Sequence, residues 1–191
     1  MTTTGGLAGS QVTSADPVVL QYFLEPGAEG TFQTLDAMAS CVRGECPPDF
    51  SGFQDEWIRQ SAENIVRGVP GQDVIGEIRA LFNFVKNSIT YRQHPVNQQR
   101  VQDCRRTLEL GSGDCVSKSV CLATLLAALG YTPRFVAQCP DGENYTHVYV
   151  EVLLDPGRWL ALDPVAEKQP MGWTQPLPDG GFETPWTIFS E

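Results

Sequence analysis

Histidine is nearly missing from this chain: two of 191 residues, His94 and His147. Any chemistry that needs an imidazole must use one of them. Basic residues are scarce too, 13 Lys and Arg against 23 Asp and Glu, for a formal net charge of −10. A chain of that sign repels a polyanion, so neither nucleic acid nor an anionic membrane is expected as a partner. No apolar run approaches the ~20 residues that a membrane helix needs. The first ten residues, Met1 to Ser10, carry neither the basic start nor the apolar stretch of an export signal, so the expected location is cytoplasmic. Cysteine is present six times, at 41, 46, 104, 115, 121 and 139, too thinly for a disulfide-stapled scaffold. The expectation is free thiols in a reducing compartment. Cys41 and Cys46 are close enough for a disulfide or half a metal site, but no second pair stands at zinc-ribbon spacing. No metal and no cofactor is therefore expected, and no internal repeat is seen.

What is there suffices for one domain. Residues 1–15, rich in Thr, Gly and Ser, read as a disordered arm, and 16–191 as a single domain with a Pro- and Gly-rich wrapping tail over 164–191. Residues 17–24 are short and apolar, extended or helical. Apolar residues then recur at helical spacing in three stripes: Leu35, Met38, Ala39, Val42; Trp57, Ile58, Ser61, Ala62, Ile65, Val66; and Val74, Ile78, Leu81, Phe82, Val85, Ile89. Residues 90–112 read as a long polar connection, with Arg92, Arg100, Arg105 and Arg106 in an otherwise acidic chain. A fourth helix follows Gly113, with Val116, Val120, Ala123, Leu125, Leu126 and Leu129 as its buried set and Gly130 as its stop. The period then changes to two, for strands over 133–138, 145–154 and 158–163. Helices first and strands later predict an α+β fold.

Gly111-Ser112-Gly113-Asp114-Cys115 puts a cysteine in the first turn of the fourth helix. The unpaired N–H groups there favour a thiolate. A helix end supplies only about 0.3–1 kcal/mol, so an activated cysteine needs a second group, and an imidazolium is the usual one. His147 lies on the strand face opposite Val148, Val150 and Val152, so a helix end over that side would bring thiol and imidazole together. If Asp155-Pro156-Gly157 is a three-residue loop, Leu154 pairs with Arg158 and Tyr149 stands opposite Asp163, with His147 as its diagonal same-face neighbour. A two-residue loop without a bulge would put His147 and Asp163 on opposite faces. Cys104 lies eleven residues before Cys115, and a regulatory disulfide between them is a further expectation; Cys121 and Cys139 read as structural.

Gly-Asp-Cys before an apolar helix, His-Val-Tyr-Val-Glu-Val on a strand and Arg-Trp-Leu-Ala-Leu-Asp-Pro on the next resemble, in that order, the motifs of the transglutaminase-like superfamily. Ile89-Thr90-Tyr91 and Thr107-Leu108-Glu109-x-Gly111 are similar to the same family upstream. The resemblance covers roughly residues 31–175, with a catalytic core about 72–165. It implies a papain-like fold with N-terminal helices on a C-terminal antiparallel sheet. It also implies Cys115 as nucleophile, His147 as general base and then acid, and Asp163 as the group that orients the imidazole. His94-Pro95 departs from the Asp-Pro that relatives often carry, which bears on the substrate rim and not on the triad. The backbone N–H of Cys115 is the first oxyanion donor; Gln99, Gln102 and Trp57 are candidates for the second.

The expected function is hydrolysis of an amide or peptide bond through a thioester, on a protein or peptide substrate. Transfer of the acyl group to a lysine amine differs only in the acceptor. No EF-hand-like acidic pattern accompanies the triad, which favours hydrolysis over the calcium-dependent transfer of the larger animal enzymes. The architecture is also similar to compact bacterial and phage-borne members. A non-enzymatic assembly component, possible for a phage particle and its structural proteins and so a virion location, is the third reading.

Overall fold

The computed structural model describes residues 19–22, 28–45, 50–93 and 99–189. The expected N-terminal arm, Cys46 and His94-Pro95 lie outside them.

Three helices come first, as the stripes predict: α1 Ala28–Arg43, α2 Glu56–Val66 and α3 Val74–Ser88. Aspartates start two of them. The Asp55 carboxylate accepts from the N–H of Trp57 and Ile58, and Asp73 accepts from that of Gly76, which satisfies donors that a helix start leaves unpaired. Their inner faces bury Leu35, Met38, Ala39, Val42, Ile58, Ala62, Ile78, Leu81, Phe82 and Val85 in one core. Two stripe members leave it. Trp57 and Val74 sit in first turns and are 39% and 45% exposed, and the Arg105 guanidinium lies over the Trp57 ring at 5.1 Å.

The polar stretch 90–112 is not one loop. It holds β2 Thr90–Tyr91, β3 Gln99–Gln102, the two-turn helix α4 Cys104–Leu110 and β4 Ser112–Gly113. Asp103 starts α4, accepting from Arg106 N–H at 2.7 Å and tying in Ser51 N–H at 2.8 Å. Only Cys104 and Thr107 of this helix are fully buried, too few to write an apolar period. β3 pairs antiparallel with β1 Val19–Tyr22, and β2 pairs parallel with β4, setting Tyr91 beside Gly113.

Helix α5, Cys115–Ala128, is central. Every residue from Val116 to Ala127 is buried, which explains why its apolar stripe is broad rather than one-sided. Leu129, counted in that stripe, is the helix's C-cap instead. Three of the helix's buried polar side chains are bonded, Thr124 Oγ1 to Val120 O at 2.7 Å, Ser119 Oγ to Val148 O at 3.2 Å, and Lys118 Nζ to Ile89 O at 2.8 Å and Lys86 O at 3.2 Å, while the buried Ser117 hydroxyl has no partner among the described residues. Lys118 thus closes the C-terminal end of α3, and burial pushes its ammonium below the usual lysine value.

The sheet is antiparallel, in the order β7-β6-β5-β8, with β5 Pro133–Cys139, β6 His147–Asp155, β7 Arg158–Leu162 and β8 Phe182–Thr187. Its Val148, Val150 and Val152 face shares the core with α5. The expected pairing of Leu154 with Arg158 is not formed. Asp155 pairs with Arg158 across a Pro156-Gly157 turn, and Leu154 is left out as a bulge. Gly157, at φ +79°, suits that tight turn. Beyond the bulge, Val150–Leu162 through Leu153–Trp159 keep the expected register. The bulge restores the parity that a two-residue turn removes. The tail does more than wrap: β8 adds a strand to β5, and Trp186 stacks on Phe32 of α1 at 5.3 Å.

Candidate active site

The site begins at Gly113. A Cβ there would lie 2.6 Å from Ser117 Cβ, so only glycine lets β4 turn this closely into α5. Arg92 N–H donates to Gly113 O at 3.0 Å and holds the turn against β2. Asp114 then caps α5, its Oδ1 accepting from Ser117 N–H at 2.9 Å. Cys115 is the first helical residue and is half-buried.

His147 is the first residue of β6. Helix α5 packs on the valine face of that strand, not on the side His147 faces. Thiol and imidazole each stand at the first residue of their element and line one cleft. They are close enough for the thiol to act on the ring's pKa. The ring's Nε2 is 2.9 Å from Asp163 Oδ2, which leaves Nδ1 for the thiol. Asp163 is 5% exposed, and its second oxygen accepts from Val165 N–H at 3.0 Å. Burial alone would lower the pKa of His147. Hydrogen bonds to Asp163 and Cys115, with their charges, outweigh it and raise it to about 10.

Two neighbours were not singled out from the sequence. The Tyr149 ring stacks beside His147 at 6.4 Å, and its hydroxyl donates to Glu183 Oε1 at 3.2 Å. Burial and the Glu183 and Glu151 charges push that phenol up. Gln138 Nε2 holds the same Glu183 oxygen at 2.9 Å. Tyr91 stands close enough to Cys115 and Asp114 that, after burial, their charges raise its own pKa. The Ile-Thr-Tyr motif was visible, but nothing local announces a parallel pairing with Gly113.

Of the other expected site residues, Gln102 lies against the Ser112-Gly113 turn that leads into Cys115. Gln102 is buried and donates to Ser112 O at 3.4 Å. Trp57 lies under Arg105. The side chain of Gln99 is outside the described residues. Gln102, Trp57 and Tyr91 all stand outside the lining of the two clefts at His147. Cys104 is turned away from Cys115: its Sγ contacts Cys121 Sγ at 3.3 Å, both buried in the core. The expected Cys104–Cys115 pairing is thereby replaced by a contact one helical turn and a half further along α5. Among the described residues no group of three or more His, Cys, Asp or Glu is placed to hold a metal ion, and no helix is long and apolar enough to cross a membrane.

His147 is a wall shared by two clefts. One, of about 120 Å³, runs from Cys115 and Val116 to Thr31, Thr34, Leu35 and Met38 of α1. The other, of about 490 Å³, opens behind Asp163 against Glu167, Trp173 and Gln175.

The family description "Transglutaminase-like superfamily" matches residues 59–164, over half of the chain and narrower than the span the motifs suggested. No curated protein matches. A solved structure of a candidate protease from Parabacteroides distasonis superposes with a TM-score of 0.52 at 12% identity, covering 76% of this chain and 27% of that one. A candidate cysteine protease from Cytophaga hutchinsonii gives 0.46 at 11% identity, covering 71% and 52%. A TGase gives 0.42 at 16%, covering 80% and 36%. At that identity the first likeness is one of fold, and this chain spans only about a quarter to a half of the length of the three.

Proposed function

Because the chain belongs to the transglutaminase-like superfamily, a family of cysteine-dependent hydrolases and acyltransferases, we propose that it hydrolyses an amide or peptide bond through a thioester on Cys115. The observation that carries this reading is the 2.9 Å His147–Asp163 hydrogen bond with Cys115, the first residue of α5, in the wall of the same cleft as the imidazole. With His147 protonated up to about pH 10, the thiolate has an imidazolium beside it. Its sulfur attacks the carbonyl carbon. The C–N bond breaks as the imidazolium gives its proton to the departing amine, and a thioester remains. The neutral imidazole then takes a proton from water, and the resulting hydroxide displaces sulfur to release the acid. Asp163 keeps the ring in one tautomer and orientation throughout.

The oxyanion formed in each step needs donors. The Cys115 N–H is the first N–H of α5 and has no helical carbonyl to bond. Tyr91, held beside Gly113, is the second donor in this reading, in place of Gln99, Gln102 and Trp57. Tyr91→Phe is expected to lower the acylation rate about tenfold, the modest end for an oxyanion donor because the phenol is partly solvated. Its iodoacetamide labelling of Cys115 should stay unchanged. An acylation rate equal to wild type removes Tyr91 from this role.

The reading as a whole is tested by mixing the protein with an acyl thioester donor and recording intact mass and peptide maps, with and without an added primary amine. A transient acyl adduct on Cys115 that decays to free acid is the expected result. Decay chiefly to the amide makes it an acyltransferase. No adduct from any donor overturns the enzymatic reading in favour of a structural one.

A further inference from the structure

We propose that the cleft between α1 and β6 is the pocket for the acyl-side residue of the substrate, and that it selects a small, uncharged side chain. The proposal rests on the hydrolase reading above and names its substrate class.

The cleft holds Cys115 itself in its wall, together with Val116, Ala137, Thr146, His147 and Val148. The larger cleft behind Asp163 has His147 in its wall but not Cys115, so it faces the wrong side of the imidazole for a group bonded to sulfur. Of the two halves of a cleaved amide, only the acyl half stays on Cys115 through both steps. The leaving amine departs after the first. A cavity that shares its wall with the nucleophile therefore serves the half that remains.

Size comes next. The cleft measures about 120 Å³. An apolar cavity of about 150 Å³ accepts benzene. This cleft is smaller than that, and side chains the size of Ala, Ser, Val, Leu or Asn match it best. An aromatic ring or an extended Lys or Arg exceeds this volume and would project from the mouth into solvent. The chemistry of the wall agrees. Leu35, Met38, Val116, Ala137 and Val148 are apolar, Thr31, Thr34, Thr146 and Tyr145 add hydroxyls, and no carboxylate lines it. Its one cationic group is His147, whose pKa is raised to about 10; it repels a basic side chain, and an acidic one would compete with the thiolate for it. Neutral polar and aliphatic groups remain.

The rim is built partly by α1, more than seventy residues before Cys115 in the chain. Thr31 is half-buried at the mouth and Thr146 is exposed, so both can be enlarged without disturbing the core. The experiment uses N-acetyl amino-acid thiobenzyl esters with one common leaving group and acyl residues Ala, Leu, Asn, Phe and Lys. Acylation of Cys115 is followed by released thiol and by intact mass, in wild type, Thr31→Leu and Thr146→Leu. Iodoacetamide labelling of Cys115 is the control for thiol reactivity.

Acylation by Ala, Leu and Asn donors should exceed that by Phe and Lys donors by at least tenfold. One or both enlarged variants should lose Leu turnover about tenfold relative to Ala, with labelling by iodoacetamide within twofold of wild type. Phe and Lys donors reacting as fast as Ala, or Leu-to-Ala ratios unmoved in both variants, overturn the pocket and leave the hydrolase reading standing. Normal alkylation with no acylation by any donor overturns the hydrolase reading, and the pocket with it.

Discussion

At pH 6, replacing His147 with alanine is expected to slow iodoacetamide labelling of Cys115 by about 10- to 100-fold, while near pH 9 the difference shrinks to a few-fold. The reasoning starts from the unpaired case. A lone thiol is only about 0.3% thiolate at pH 6, and the thiolate is the species that reacts. The end of α5 favours the anion by about 0.3–1 kcal/mol, a fewfold change in that fraction. The imidazolium is the larger effect, because His147 keeps its proton up to about pH 10 and stands beside Cys115 in one cleft. A paired thiolate is less nucleophilic than a free one, which keeps the rate gain below the gain in population. Peptide mapping separates Cys115 from the buried Cys104, Cys121 and Cys139. Labelling that rises only near pH 8.5 in wild type, and is unchanged by the substitution, means that the imidazole does not activate this thiol.

The parts of this site that could be read from the sequence are those written locally. Gly-Asp-Cys before an unbroken apolar run announces a capped helix start, and α5 begins at Cys115 as that predicts. The alternation of Val148, Val150 and Val152 identifies the strand and tells which side His147 faces. The register toward Asp163 was legible in the body of the hairpin, but not the means by which it arises. Leu154 as a pairing residue and Leu154 as a bulge look alike in sequence, and both bring His147 and Asp163 to one face. Other features depend on contacts between distant segments. Helix α4 commits two side chains to the core and so leaves no period. β8 contains Pro185 and reads as tail, yet it supplies Glu183 to Tyr149 beside the imidazole. Trp57 belongs by spacing to an apolar stripe, but its place in the first turn of α2 leaves it outside. The wall that α1 contributes to the Cys115 cleft, through Thr31, Thr34 and Met38, has no signal near Cys115 at all.

Asparagine at Asp163 tests the other end of the triad, and its effect should depend on pH. The high pKa of His147 is a balance. Burial lowers it, and the hydrogen bonds and charges of Asp163 and Cys115 raise it to about 10. Asp163→Asn keeps the shape and the contact with Val165 N–H but removes the carboxylate charge and its acceptance of a proton from Nε2. Burial then weighs more heavily, and the pKa falls toward the ordinary value near 6.5 or below. At pH 8 a group with pKa 6.5 is about 3% protonated, so kcat/KM at that pH is expected to drop about 30-fold or more. At pH 6 the loss should be only a few-fold. In the profile, the basic limb moves down by at least two pH units. The stability of the fold follows the same group. A histidine whose folded pKa is raised stabilises the native state fully below about pH 6.5, its unfolded value. That contribution is lost as pH rises through about 10. The denaturant midpoint of wild type should therefore exceed that of Asp163→Asn at pH 6, and the gap should close toward pH 10. A basic limb that stays in place in the variant means that Asp163 does not set the charge on His147, and the proton would then be held by Cys115 alone.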